Sequence, residues 1–334
     1  MAGALARAAR RGPVRVLAAA CVLLALALLD PQPPMPVAVG SYFFVFDITQ
    51  SMNVEDARAP GGGTASRLAQ ARAAAQELLA RLPCGTEVGL GVFTERRSLA
   101  LLTPVEICVH RTALDQSIAT LDARMAWAAD SHLYYGLYSA LDLLRDHLPG
   151  SALVLFTDGD QSPPLHPDRI PAPGAPPGST PGLLLGAGSV LPAPVPRLGE
   201  GGRIAGYWGV NDAAGYASAG GPVLSVADME ALAAGTDLRN APQRVAGAVP
   251  AHLSARRDEV LADLARRTGI AWQPLGDGGA NLAALQALPG ARRVQRPRSF
   301  RGALALAAAA CLALALLPEG SWRRLSLLMQ RKRT

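Results

Sequence analysis

The sequence predicts an α/β domain built on a mostly parallel β-sheet flanked by helices. Three observations lead there. Tyr42-Phe43-Phe44-Val45-Phe46 and Ala152-Leu153-Val154-Leu155-Phe156 are apolar at every position, as strands covered on both faces are. Helical patterns alternate with strand patterns along the chain, which a parallel sheet requires. Each of the two apolar runs ends in an acidic turn, Asp47-Ile48-Thr49-Gln50-Ser51 and Thr157-Asp158-Gly159-Asp160. That is the end of a parallel strand at which α/β sheets bind ligands.

The elements follow in order. Residues 1–15 form a basic tail with Arg7, Arg10, Arg11 and Arg15, and 16–29 are apolar without a break. This run reads as an uncleaved signal anchor; a signal peptide cut near Ala25-Leu26-Ala27 is the alternative, but that site lies inside the apolar run. The strand Tyr42–Phe46 and its acidic pentad come next, then a loop at Gly61-Gly62-Gly63. Arg67 to Leu82 repeats Leu68, Ala71, Ala75, Leu78 and Leu82 at helical spacing. Glu87–Phe93 and Ser98–Thr103 read as a hairpin turning at Thr94-Glu95-Arg96-Arg97, and Leu114, Ile118 and Leu121 mark one helical face. Asp130-Ser131 precedes a helix from Leu133 to Leu148, closed by Pro149-Gly150. After the strand Ala152–Phe156, Leu183–Gly186 is a strand, Asp258–Thr268 a helix stopped by Gly269, and Ile270–Gln273 a last strand. Residues 276–301 read as a basic linker. A second charge-free run, 302–317, reads as a transmembrane helix, and 318–334 as a basic tail with Trp322-Arg323-Arg324 at the interface.

Asp47, Thr49 and Ser51 place one carboxylate and two hydroxyls at alternate positions. Such hard oxygen donors suit Mg²⁺, Mn²⁺ or Ca²⁺ better than zinc or copper. The simpler reading of an isolated Asp-x-Thr-x-Ser is an Asx turn or a helix cap.

The strand-Asp-x-Thr-x-Ser pattern, with Thr-Asp-Gly after the later apolar strand, resembles the von Willebrand factor type A domain and its metal-ion-dependent adhesion site, over residues 40–275. The resemblance implies a Rossmann-like fold with one antiparallel hairpin strand. It also implies a divalent cation held by Asp47, Thr49, Ser51, Ser131 and Asp158, Mg²⁺ first, with Ca²⁺ or Mn²⁺ as alternatives. Asp130, where family members carry glycine, is a departure, either an extra ligand or a cap for the next helix. A protein partner would complete such an ion with its own Asp or Glu. Ser51-Met52-Asn53-Val54-Glu55-Asp56 and Ser66-Arg67-Leu68 are further similar to the bacterial Bat aerotolerance proteins and the MxaC/MxaL accessory proteins of methanol oxidation. Gly206-Tyr207-Trp208-Gly209 is closer to the second group. These likenesses imply a domain anchored in the bacterial inner membrane, facing the periplasm, and engaged in assembly, maturation or stress protection of an exported enzyme or envelope complex.

An enzyme is not expected. A phosphatase with Asp47 as nucleophile would want an acid at Thr49 and a basic group for phosphate, and Lys332, the only lysine of the chain, lies in the C-terminal tail. A scaffold that binds through its loops is the remaining alternative. Gln161–Gly182, with eight prolines, and Leu191–Pro222 border the expected metal face, either as plain surface insertions or as a partner-binding rim.

The net charge of +6 argues for no nucleic-acid partner. Of 32 basic residues, 14 lie in the two flanks, leaving 18 between positions 31 and 291 against 24 acidic ones. The expected domain is therefore acidic, the reverse of a nucleic-acid footprint. Cys21 and Cys311 fall inside the apolar runs. In the expected hairpin, Phe93 opposite Ser98 brings Cys84 and Cys108 together at the open end, so a disulfide is expected there, as in an oxidising compartment.

Overall fold

A computed structural model describes residues 2–59, 62–128, 130–162, 165, 167–209, 252–290, 292–297 and 299–316. The chain divides into two compact units, residues 38–292 and the two termini, 1–37 with 293–334.

The larger unit is a six-stranded sheet. Its strands are β1 (Ser41–Asp47), β2 (Glu87–Thr94), β3 (Arg97–Glu106), β4 (Ser151–Thr157), β5 (Gly182–Gly186) and β6 (Ala271–Pro274). They lie in the order β6-β5-β4-β1-β2-β3. All neighbours are parallel except β2 and β3, which form the antiparallel hairpin. All six strands and four of the helices are those expected from the sequence.

The apolar runs are explained by the two covered faces. Side chains alternate along a strand, so Phe43 and Val45 of β1 join one core and Phe44 and Phe46 the other. The first core is closed by α3 (Leu133–His147) and α4 (Asp258–Thr268). The second is closed by α1 (Arg67–Arg81), α2 (Ile107–Thr120) and α5 (Gly278–Gln286). Phe46 stacks on Phe156 of β4, with ring centroids 4.8 Å apart. Each fully buried side chain of this kind contributes about 1.5–3 kcal/mol, which anchors the two strands that carry the acidic turns.

The hairpin is longer than its sequence pattern suggests. Phe93 faces Ser98 as expected, but two register irregularities shift the pairing to Glu87 opposite Glu106. Cys84 and Cys108 are disulfide-bonded, with Cα atoms 5.3 Å apart.

Segment 276–301 is not a featureless linker. Asp277 caps α5 by accepting from the Ala280 amide at 2.8 Å, and Leu285 is buried. Arg292–Pro297 then forms a strand paired with Pro34–Val39. In the terminal unit a helix of 28 residues, Ala2–Leu29, runs through both the basic tail and the apolar segment. The second apolar run forms a helix of 15 residues, Arg301–Ala315. Among the described residues no helix is long and apolar enough to cross a membrane. The tail 318–334 and the part of Leu191–Pro222 beyond Gly209 lie outside the described residues.

Candidate metal centre

The chain leaves β1 for β2 and β3 on one side and later fills β4, β5 and β6 on the other. The order reverses between β1 and β4, the place at which open α/β sheets bind ligands outside the carboxyl ends of their strands. With Phe46 paired to Phe156, Asp47 comes level with Thr157, and Asp158 follows one residue on. Both acidic turns of the sequence are thereby brought together.

Asp47 is fully buried. Its Oδ1 accepts from the Thr49 amide at 2.9 Å and from Thr49 Oγ1 at 2.6 Å. Its Oδ2 accepts from Thr157 Oγ1 at 2.6 Å. A single 3₁₀ turn, Gln50–Asn53, curls the chain so that Ser51 Oγ stands 3.4 Å from Thr49 Oγ1. The three alternate-position oxygens therefore converge. The Asx-turn geometry is present too, in the bond from the Thr49 amide to Asp47, so the simpler reading describes part of the same loop.

Asp158 is also fully buried. Its Oδ1 accepts from the Asp160 amide at 2.9 Å and its Oδ2 from Arg67 Nη1 at 2.6 Å. Ser131 is buried and joins the centre through the turn after β4, where its Oγ donates to the Asp160 carbonyl at 2.9 Å. Its backbone exchanges two 2.8 Å hydrogen bonds with Ser162.

Asp130 does not cap α3. The N-cap is His132, and a capping side chain has to stand at that position to reach the first free amides. The exposed Asp130 carboxylate instead lies 3.9 Å from His132 Nε2. His132 is buried and its Nδ1 has no hydrogen-bond partner. Burial and Arg96 lower its pKa, against Asp130 and Glu95.

The electrostatics are dominated by negative charge in a small buried volume. Burial, and then the neighbouring Asp158, push the Asp47 carboxyl from 3.8 up to about 7, against the hydrogen bonds from Thr157 and Thr49. Burial and Asp158 push Asp160 to about 7 as well, against Arg257 and Arg67. Arg67 pairs with Asp158 and with Asp56, and its charge also opposes the rise at Asp160. Carboxylate and hydroxyl oxygens with excess negative charge fit a hard divalent cation.

Three members of the centre escaped the sequence reading. Thr157 and Asp160 stand in the quoted Thr157-Asp158-Gly159-Asp160 turn, where the alternation of the strand points Thr157 at Asp47. Arg67 opens α1 and stands in the quoted Ser66-Arg67-Leu68, which gave no sign of a role at the centre.

A family model for the von Willebrand factor type A domain matches residues 42–161 of the chain. Among solved structures it is similar to an aerotolerance-related membrane protein from Bacteroides fragilis bearing multiple mutations to serines. The identity is 14% over 73% of this chain and 96% of that one, with a TM-score of 0.45. It is similar to the conserved hypothetical protein BatB from Bacteroides thetaiotaomicron at 15% identity, over 74% and 95% of the two chains, with a TM-score of 0.45. An uncharacterised membrane-spanning protein from Vibrio fischeri matches at 12% identity over 73% and 96%, with a TM-score of 0.27. No curated protein matches the chain.

Proposed function

We propose that this von Willebrand factor type A domain protein binds a divalent cation at the β1–β4 switch point and docks through it on a protein partner. The observation that carries the reading is the convergence of Asp47, Thr49 and Ser51 beside Asp158, with the Asp47 carboxyl pushed up to about 7 by burial and by the Asp158 charge. Asp47, Thr49, Ser51, Ser131 and Asp158 would hold the ion. Mg²⁺ is the ion proposed, with Ca²⁺ and Mn²⁺ as alternatives of the same donor preference. Bound there, the ion supplies a Lewis-acidic position that an Asp or Glu of a partner can fill.

The rim supports a protein as that partner. Trp127 is half exposed and donates from Nε1 to Glu95 Oε2 at 2.8 Å, while Arg96 lies over the exposed Tyr135 ring at 5.5 Å. Glu95 in turn bridges to Ser131. Aromatic and arginine side chains held in place around a charged centre are the usual anchors of protein interfaces.

Phosphoryl transfer is disfavoured. Arg67 pairs with Asp158 at the centre, and all five of its N–H groups are spent inside the protein. Thr49 stands where a general acid would be needed.

The apolar runs 16–29 and 302–317, each flanked by arginines, support anchoring in a bacterial inner membrane, and the Cys84–Cys108 bridge supports a periplasmic domain. The role that fits is assembly, maturation or stress protection of an exported enzyme or envelope complex. Affinity purification of the tagged chain with Mg²⁺, with EDTA and as Asp47→Ala tests it. A partner recovered only with metal and intact Asp47 is expected; one recovered equally in all three moves the function to the loops.

A further inference from the structure

Arg67 is the most heavily bonded side chain near the centre, and ligand binding alone does not account for it. It is fully buried, and each of its five N–H groups donates. Nε and Nη2 form a fork on Asp56 at 2.9 and 2.7 Å. Nη1 reaches Asp158 Oδ2 at 2.6 Å and Ser254 Oγ at 2.7 Å, and Nη2 also reaches the Ser254 carbonyl at 3.0 Å.

These partners come from distant parts of the chain. Ser254 lies on the segment that leads into α4, and Gly188 and Ser189 lie on the segment that follows β5. Gly188 adopts φ +83°, and a Cβ there would fall 2.4 Å from Arg67 Nε, so the backbone lies directly on the guanidinium. Ser189 donates its amide to Asp56 Oδ2 at 3.2 Å. The two segments are tied to each other by Arg256 N to the Ser189 carbonyl at 2.7 Å, and to the site by Arg257 N to the Asp158 carbonyl at 2.8 Å. They form a stem, and Arg67 is its rivet.

We infer that Arg67 is a positioning residue that links occupancy of the metal centre to docking of this stem. The inference rests on the divalent-cation reading. Asp158 keeps a lone pair on each oxygen beyond those used by Arg67 and the Asp160 amide, so it can turn toward an ion without releasing the arginine. Any such turn moves the guanidinium, and with it Ser254 and Asp56. The linkage is reciprocal, as coupled equilibria must be: an ordered stem presents Asp158 for the ion, and the ion holds the stem. A lysine cannot replace this fork, because its compact ammonium has three donors rather than five in a plane.

The test is calorimetric Mg²⁺ titration of the full chain together with hydrogen exchange at the Ser189, Arg256 and Arg257 amides. In the wild type, Mg²⁺ is expected to slow these amides by about 5-fold or more. Arg67→Lys is expected to weaken Mg²⁺ binding about 10- to 100-fold, the usual effect of disturbing a group that orients a ligand, and to leave the amides fast with or without Mg²⁺. Should Arg67→Lys fail to fold, Asp56→Asn removes the other anchor while keeping the Arg67–Asp158 pair, and weaker Mg²⁺ binding with a faster Ser189 amide is expected. Wild-type protein that binds Mg²⁺ with unchanged amide rates overturns the coupling and leaves the metal reading intact. A folded variant with wild-type Mg²⁺ affinity overturns it too. Wild-type protein that takes up no divalent cation removes the metal reading, and the coupling with it.

Discussion

Replacing Asp47 by Asn should make the metal-free protein more stable, and more so at high pH. The carboxyl titrates at 3.8 when unfolded and at about 7 in the folded domain, because burial and Asp158 oppose its charge. A carboxyl whose pKa rises on folding holds its proton more tightly in the folded state. Its contribution is least harmful below pH 3.8 and becomes a full penalty as pH climbs through about 7. Relative to an uncharged side chain the penalty is about 2 kcal/mol at pH 5 and about 4 kcal/mol at pH 8, from 1.36 kcal/mol per pH unit. Asn keeps an oxygen for the two Thr49 donors, and the Thr157 hydroxyl can rotate to accept from the new amide. Asp160 is present in both proteins and cancels. Urea unfolding of wild type and Asp47→Asn in EDTA at pH 5 and pH 8 should therefore show a gain that is about 2 kcal/mol larger at pH 8. A difference independent of pH, or a variant less stable than wild type at pH 8 but not at pH 5, would refute the charge argument.

Other perturbations probe the frame around the centre. Breaking the Cys84–Cys108 bridge, separated by 24 positions, should cost about 3 to 4 kcal/mol through the freed unfolded chain; urea midpoints of Cys84→Ser/Cys108→Ser against wild type measure it, and a shift below about 0.5 kcal/mol would argue against the bridge. Gly136→Ala would drive a Cβ to within 2.0 Å of the Phe93 ring where α3 crosses the sheet. It should destabilise by about 1–3 kcal/mol, and a neutral result would contradict this packing. Thr157→Val removes the donor to Asp47 Oδ2 and should cost about 2 kcal/mol at pH 8, where Asp47 is ionised, and less at pH 5. Equal losses at the two pH values would show that the bond is not to a charged acceptor.

The central strands were legible because both of their faces are covered. Phe43 and Val45 point one way and Phe44 and Phe46 the other, so no polar position interrupts the run. The acidic turns were legible because they follow those strands directly. The hairpin register was readable at its tight end, from Phe93 opposite Ser98, but not its two irregularities, which leave no residue signature. The helix at Gly278–Gln286 was hidden by the basic residues that follow it; its Asp277 cap and buried Leu285 were available signals. Arg67 stands in the quoted Ser66-Arg67-Leu68, but its role at the centre is not readable there, since its partners Asp56, Asp158 and Ser254 lie up to 187 positions away. Asp130 misled for the opposite reason: an acid before a helix is the ordinary cap, but the N-cap is His132, two residues further on.

The measurement that bears most directly on the account is a Mn²⁺ titration followed by electron paramagnetic resonance, on wild type and Asp47→Asn in parallel. One Mn²⁺ is expected to bind per wild-type chain and to be displaced by Mg²⁺, with none held at that affinity by the more stable Asn variant. Equal Mn²⁺ uptake by the two proteins, or none by either, would contradict it.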